Sequence, residues 1–189
     1  MSQDSARADY FDRIYAGQAD PWSYGASGYE QQKYRATLDA LPRPRFRHGL
    51  EIGCSIGVLS RLLATRCDRL LAIDFSEVAL ASARQQIPAN TVFARAAVPA
   101  QFPDGRFDLI VFSEVLYYLA PGDLDATAGR AMAGLDVDGV VVLVNWLGET
   151  GAASDGNAAA DAFIRRAAPR LRLLRHEAMP EYRLDLLGR

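Results

Sequence analysis

Histidine and cysteine are both scarce in this sequence, two of each in 189. A lone pair of thiols, Cys54 and Cys67, in a chain without a leader-like apolar segment does not make a disulfide framework. His48 lies ahead of the first strand pattern on the wrong edge, and no cluster of His, Cys and acids at ligand spacing accompanies it or His176. No metal site is expected. His176 reads as a packed surface residue late in a C-terminal strand.

An excess of charge of one sign is missing too. Lys and Arg number 21 against 23 Asp and Glu, a formal charge of −2. Basic residues gather without interleaved acids only in Pro42–His48 and around Arg165–Arg175. Counterion release needs many clustered contacts, so this is no nucleic-acid footprint, and Arg43, Arg45 and Arg47 read as a solvated linker. Long apolar runs are also absent. Met1–Arg13 carries Asp4, Arg7, Asp9, Asp12 and Arg13, which excludes a secretory or membrane-spanning segment there. The expected setting is a reducing cytosol, with neither nucleic acid nor membrane as partner. With half its residues hydrophobic, the chain can bury one sizeable core but is too short for two full domains and a linker.

What is present, after Gly49, is an alternation of strand-length apolar runs and helix-length segments, the pattern of βαβ units. Strands are expected at Leu50–Ile52, Leu70–Ile73, Thr91–Ala94, Phe107–Phe112 and Val140–Val144. Helices are expected at Val58–Cys67, at Glu77–Ile87 behind a Ser76 cap, and at Pro121–Leu135. Pro103-Asp104-Gly105 is a turn, and Asp136–Gly139 ends the third helix. Phe107–Phe112 is apolar throughout, as befits a central strand covered on both faces. After a loop at Gly148–Asn157, a helix at Ala158–Ala168 and two strands near Leu171–Arg175 and Tyr182–Leu187 follow, the second of them antiparallel. The expected fold is a single doubly wound, Rossmann-like α/β domain: a seven-stranded, mostly parallel sheet with an antiparallel final strand over residues 49–189, preceded by a helical segment at 1–48.

Ligands of open α/β sheets bind beyond the carboxyl ends of the strands. At the first such end stands Glu51-Ile52-Gly53-Cys54-Ser55-Ile56-Gly57, whose small residues let backbone N–H groups approach a ligand at a helix start. Taken alone it is either a tight turn or a nucleotide-like site. The second strand adds Asp74, seventeen residues after Gly57. A carboxylate there, read as a strand-end surface acid that contributes little to the core, can accept from both hydroxyls of a ribose. The spacing lacks the third glycine of a dinucleotide fingerprint, which ranks a nicotinamide-linked oxidoreductase last.

The acid-x-Gly-x-x-x-Gly turn, Asp74 and Phe107–Glu114 resemble the motifs of class I S-adenosylmethionine-dependent methyltransferases. Ser55 departs from the glycine common at that position, and Ala96-Ala97 stands where the family often has an adenine-binding Asp. The resemblance implies S-adenosylmethionine as cofactor, bound through Glu51, Gly53, Cys54, Ser55, Gly57, Asp74 and Ser113, with adenine held by the backbone near Ala97 and by Phe75. The aromatic block Asp20-Pro21-Trp22-Ser23-Tyr24 and Tyr29-Glu30-Gln31-Gln32-Lys33-Tyr34, with Ser113-Glu114-Val115-Leu116-Tyr117-Tyr118, is similar to the nodulation-type methyltransferases, which N-methylate a glucosamine unit of chitin-like oligosaccharides.

Trp22, Tyr24, Tyr29 and Tyr34 are either core aromatics or a cover over the cofactor, where an aromatic face attracts a sulfonium by roughly 0.5–2 kcal/mol and Lys33 meets the cofactor carboxylate. Glu114 is the expected catalytic acid, holding the ammonium form of an amine acceptor and passing its proton towards water, with Tyr117 or Tyr118 beside it. Alternatively it contacts the cofactor's own ammonium or caps a helix. The reading is methyl transfer to a small polar acceptor, best an amino sugar. The runners-up are methylation of a hydroxyl and a non-catalytic cofactor-binding protein.

Overall fold

The computed structural model describes residues 3–189, with side chains from Tyr10 onward. The acids and bases at Asp4, Arg7 and Asp9 therefore lie outside the described side chains. In chain order the elements are α1 (Gln3–Gly17), α2 (Gly28–Asp39), β1 (Phe46–Ile52), α3 (Val58–Ala64), β2 (Cys67–Asp74), α4 (Glu77–Ala83), β3 (Thr91–Arg95), β4 (Phe107–Ser113), α5 (Pro121–Gly134), β5 (Leu135–Trp146), α6 (Gly156–Ala167), β6 (Arg172–Ala178) and β7 (Tyr182–Gly188). Single 3-10 turns occupy Arg84–Gln86 and Leu116–Tyr118. None of the described helices is long and apolar enough to cross a membrane.

The strands form one sheet in the order β3-β2-β1-β4-β5-β7-β6. β1 to β5 are parallel, and β7 enters antiparallel between β5 and β6. This is the doubly wound sheet with an antiparallel final strand that the alternation predicts. The central position of β4 explains its composition: every residue from Phe107 to Ser113 is buried. Ile110 and Phe112 face one core with Leu124, Met132 and Phe163, while Leu109 and Val111 face the other with Tyr34, Leu63 and Val142. A strand covered on both faces cannot alternate in polarity.

Helix starts follow local chemistry. Ser27, Ser76 and Asp155 each stand in extended backbone and accept from the N–H three residues on, capping α2, α4 and α6. The Asp155 cap starts α6 two residues before the expected Ala158. α3 is shorter than expected because Cys67, fully buried, already belongs to β2. α4 likewise gives way to a 3-10 turn before Pro88.

Two strands start well before their expected residues, β5 at Leu135 rather than Val140 and β1 at Phe46 rather than Leu50. Asp108, buried on β4, accepts from the backbone N–H groups of Arg47 (2.9 Å) and His48 (2.8 Å). Arg43 lies over the Phe46 ring, 4.6 Å from its centroid, and pairs with Asp138 at 3.0 Å. Arg47 reaches Asp136 and Asp138, both at 3.3 Å. The run read as a solvated linker is thus partly strand, and its guanidinium groups neutralise acids that open β5. The same acids follow the end of α5 at Gly134 and already belong to β5, which starts at Leu135 and absorbs Asp136–Gly139 through a register shift against Phe107 and Leu109.

Replacing Asp108 by Ala removes the acceptor of two strand-end N–H groups and leaves Arg43 and Arg47 short of a partner. The expected loss is about 2–4 kcal/mol of folding stability, read as a lower urea midpoint at unchanged m. A midpoint equal to the parent's contradicts this role.

Candidate active site

Beyond the carboxyl ends of β1, β2, β4 and β5 the chain encloses a cavity of about 540 Å³, within the range of small-molecule sites. Its floor is the turn after β1. Gly53 (φ 85°), Ser55 (φ 49°) and Gly57 (φ 77°) all adopt the left-handed conformation. A Cβ on Gly53 would stand 2.1 Å from Val115 Cγ2 and 2.8 Å from the Ser113 carbonyl oxygen. Only glycine fits there. The N–H groups of Gly53 and Cys54 both donate to the Ile73 carbonyl, at 2.9 and 3.0 Å, which draws the turn against the end of β2.

Asp74 ties the turn to the next helix. One carboxylate oxygen accepts from Ser55 N–H and the other from Ser76 N–H, each at 2.9 Å. It is no surface acid: the residue is 8% exposed, and burial pushes its carboxyl up to about 6 against the pull of the Ser76, Ser55 and Phe75 backbone groups. The Ser55 hydroxyl, the departure noted above, hydrogen-bonds the Tyr15 hydroxyl at 2.6 Å. It fixes α1 over the turn.

α1 forms part of the roof. Phe11 meets Phe75 and Tyr118 edge-on at 5.3 Å each, and Asp12 accepts from the Ser76 hydroxyl. Trp22 lies 5.5 Å from Tyr15 and stacks on Tyr24 at 5.7 Å. Tyr29, on α2, packs edge-on against Trp146 at 5.8 Å. The sequence reading took no notice of Phe11 and Tyr15. Their four-residue spacing, one above the other on a helix face, was the signal available.

The third group centres on Glu114, itself in left-handed backbone (φ 58°) just past β4. One carboxylate oxygen accepts from Lys33 Nζ at 2.7 Å, the other from the Tyr117 hydroxyl at 2.8 Å and the Trp146 N–H at 2.7 Å. Lys33 is 2% exposed and also pairs with Glu30 at 3.0 Å. Burial alone would lower its pKa, but Glu114 and Glu30 outweigh burial and leave it above the usual value. Burial and the Glu114 charge hold the Tyr117 phenol well above its ordinary range. Lys33 is therefore an internal partner of Glu114 rather than a free cation awaiting a carboxylate, and Glu114 is not a free acid.

Of the residues singled out from sequence, Trp22, Tyr29, Lys33, Gly53, Ser55, Asp74, Phe75, Ala97, Ser113, Glu114 and Tyr117 all line the cavity. Glu51, Cys54 and Gly57 do not; Glu51 and Cys54 line a smaller pocket that shares Gly53, Ser55, Ser113 and Glu114 with it. Glu51 is buried against Ser60, and burial pushes it up to about 7. The Cys54 side chain packs with Ala72, Leu80, Ala83 and Phe93, and Gly57 lets Phe93 and Ala83 come close. At Ala97 both backbone groups are satisfied by Gln101, at 2.9 and 2.8 Å, so this residue offers packing rather than hydrogen bonds. His48 bonds the Arg106 carbonyl at the opposite end of the sheet, and His176 pairs with Asp185 on the outer strands.

With this geometry in hand, the likenesses to known proteins are specific. The family profile described as nodulation protein S (NodS) matches residues 5–175. Nodulation protein S of Sinorhizobium fredii is 37% identical over 103 residues, 53% of this chain and 48% of that protein, so the chain spans about half of that relative's length. Its counterpart in Rhizobium tropici is 28% identical over 89% of this chain and 70% of that protein. The N-methyltransferase NodS from Bradyrhizobium japonicum WM9, crystallised in complex with S-adenosyl-L-homocysteine, superposes with a TM-score of 0.77 over 95% of this chain and 97% of that one. At 22% identity that likeness is one of fold.

Glu51 and Asp74 both titrate in the folded chain above their unfolded values, so the folded state keeps protons that the unfolded chain has lost. The stability they contribute is full below about pH 4 and is lost as pH rises through about 6 and 7. Glu51→Gln is expected to stabilise the ligand-free protein at pH 8 by roughly 1–3 kcal/mol relative to the parent, with the difference shrinking towards pH 5. Urea denaturation at the two pH values checks this; a variant less stable at pH 8 reverses the sign.

Proposed function

The chain belongs to the nodulation protein S family, and from that membership we propose that it is an S-adenosylmethionine-dependent methyltransferase acting on the amino group of a small polar acceptor, with an amino sugar or its oligomer as the best fit. The observation that carries this reading is the charge of the cavity wall. Among the described residues it presents four carboxylates, Glu30, Asp74, Glu114 and Glu149, against one ammonium, Lys33, within an otherwise aromatic and apolar lining. Such a wall favours a sulfonium cofactor and a cationic acceptor.

The residues present fit that cofactor. At Gly53 the place a Cβ would fill is taken by Val115 and the Ser113 carbonyl, so the end of β4 packs directly on the turn whose main chain lines the cavity. Asp74 uses one acceptor position on each oxygen for backbone N–H groups, which leaves the others for two ribose hydroxyls. Phe75 and Ala97 would flank the adenine, and Trp22 and Tyr29 would cover the methionyl end, with the segment ahead of β1 as the cover and the sheet domain from Phe46 onward beneath it. When bound there, S-adenosylmethionine would supply an electrophilic methyl carbon on a sulfonium whose sulfur leaves with the bonding electron pair.

The chain's own part is to bind, orient and shield. Glu114 and Tyr117 form a fixed, charged floor under the reacting atoms, because a carboxylate that already accepts three hydrogen bonds sets the local field more than it exchanges protons. Positioning then supplies much of the rate. The N-methyl transfer named for the Bradyrhizobium relative agrees with this picture and supports an amine over a hydroxyl.

Two measurements test the reading together. The purified chain is expected to bind S-adenosylmethionine and its demethylated product in calorimetric titration but not NAD, and Asp74→Asn is expected to weaken that binding about 10–100-fold. It is also expected to methylate a glucosamine oligomer and to leave the fully N-acetylated oligomer untouched. Equal turnover of the two sugars overturns amine specificity; affinity for NAD alone overturns the cofactor.

A further inference from the structure

The four acids of the cavity wall differ in what they already hold. Asp74 accepts from Ser55 and Ser76, Glu30 pairs with Lys33, and Glu114 accepts from Lys33, Tyr117 and Trp146. Glu149 alone among them has no hydrogen-bond or ion-pair partner among the described residues, although it lines the same cavity. It is exposed at the rim, on the loop that follows β5.

That loop is held at both ends. Leu147 N–H donates to the Glu181 carbonyl at 2.9 Å, and Ser154 N–H donates to the carbonyl of Tyr117 at 3.2 Å. Between them, Thr150 Oγ1 accepts from Ala152 N–H at 3.2 Å. Gly148 lies so close to the indole of Trp146 that a Cβ there would stand 2.4 Å from its Nε1. The ring therefore packs beneath the loop, and the residue after this glycine is carried over the edge of an aromatic wall that Tyr29 continues. An anchored loop places a charge at low entropic cost.

Resting on the N-methyl transfer reading above, we propose that Glu149 is the acceptor-binding residue: it receives the ammonium of the incoming amine at the cavity mouth, while Trp146 meets the apolar part of the same molecule. An ammonium has no lone pair and cannot attack. One proton passes from nitrogen to the Glu149 carboxylate and from there to water, which the exposed position permits, and the neutral nitrogen goes on towards the cofactor methyl. Glu114 is poorly suited to that exchange, since taking up a proton would remove the negative charge that faces buried Lys33 and leave it paired with Glu30 alone.

The test compares parent, Glu149→Gln and Glu149→Asp with the fully deacetylated glucosamine dimer and its N-acetylated counterpart. Binding is measured calorimetrically on the protein saturated with S-adenosylhomocysteine, and turnover is followed from pH 6.5 to 9. Glu149→Gln is expected to weaken amine binding about tenfold or more and to raise KM by the same factor. Affinity for S-adenosylmethionine stays within twofold, and Glu149→Asp recovers part of the loss. If the parent discriminates between the two sugars and Glu149→Gln binds the amine as tightly as the parent, the Glu149 assignment falls while N-methylation stands. If the parent does not discriminate between them, N-methylation falls and takes the assignment with it.

Discussion

A largely buried carboxylate must be satisfied from within the chain, and at the end of β4 the partners of Glu114 come from three separate places. Lys33 arrives from α2, the Tyr117 hydroxyl from the turn that follows, and a backbone N–H from the end of β5. Leaving such a charge unpaired is far more costly than the pair is stabilising. The requirement therefore fixes the angle of α2 on the sheet, and with it Tyr29, whose ring Lys33 approaches to 5.2 Å. The α2 side of the cover is thus anchored by electrostatics, whereas α1 rests on Phe75 and Tyr118 through aromatic packing.

The turn after β1 meets a similar demand by different means. Its left-handed residues leave backbone N–H groups that no helix or ladder can satisfy, and the end of β2 takes them up through the Ile73 carbonyl and the Asp74 carboxylate. Where the Gly-rich pattern gives way to Ser55, the strained backbone is matched by a contact that glycine could not make, the hydroxyl bond to Tyr15. Departure from a family pattern here corresponds to an anchor for α1.

The central sheet was legible because its physics is local. Periodicity, β-branched runs and turn residues place β2, β3, β4, β6 and β7 within a few residues, and the two motifs at the ends of β1 and β2 locate the cavity. What escaped depends on contacts between segments distant in sequence. Arg43 and Arg47 look like a solvated stretch until Asp108, Asp136 and Asp138 are brought beside them. The side of the turn that Glu51 and Cys54 face is set by packing against α3 and α4, which spacing does not encode. Lys33 resembles a ligand-seeking cation in sequence because its partner lies 81 residues away. Glu149 stands in a loop that carries no motif, and only the fold brings it to the cavity.

That separation of 81 residues also bears on the order in which the molecule assembles. Loop closure over such a length is slow and unrewarded until the distant partner is in place. Glu114 takes up its position only when β4 has paired with β5, since its N–H is held by the Val144 carbonyl. The Lys33 anchor of α2, early in the chain, is therefore complete only when the middle of the sheet has formed. A partly folded chain with an incomplete sheet has no roof and no enclosed cavity, so ligand binding reports on completion of the fold as a whole rather than on its first βαβ unit.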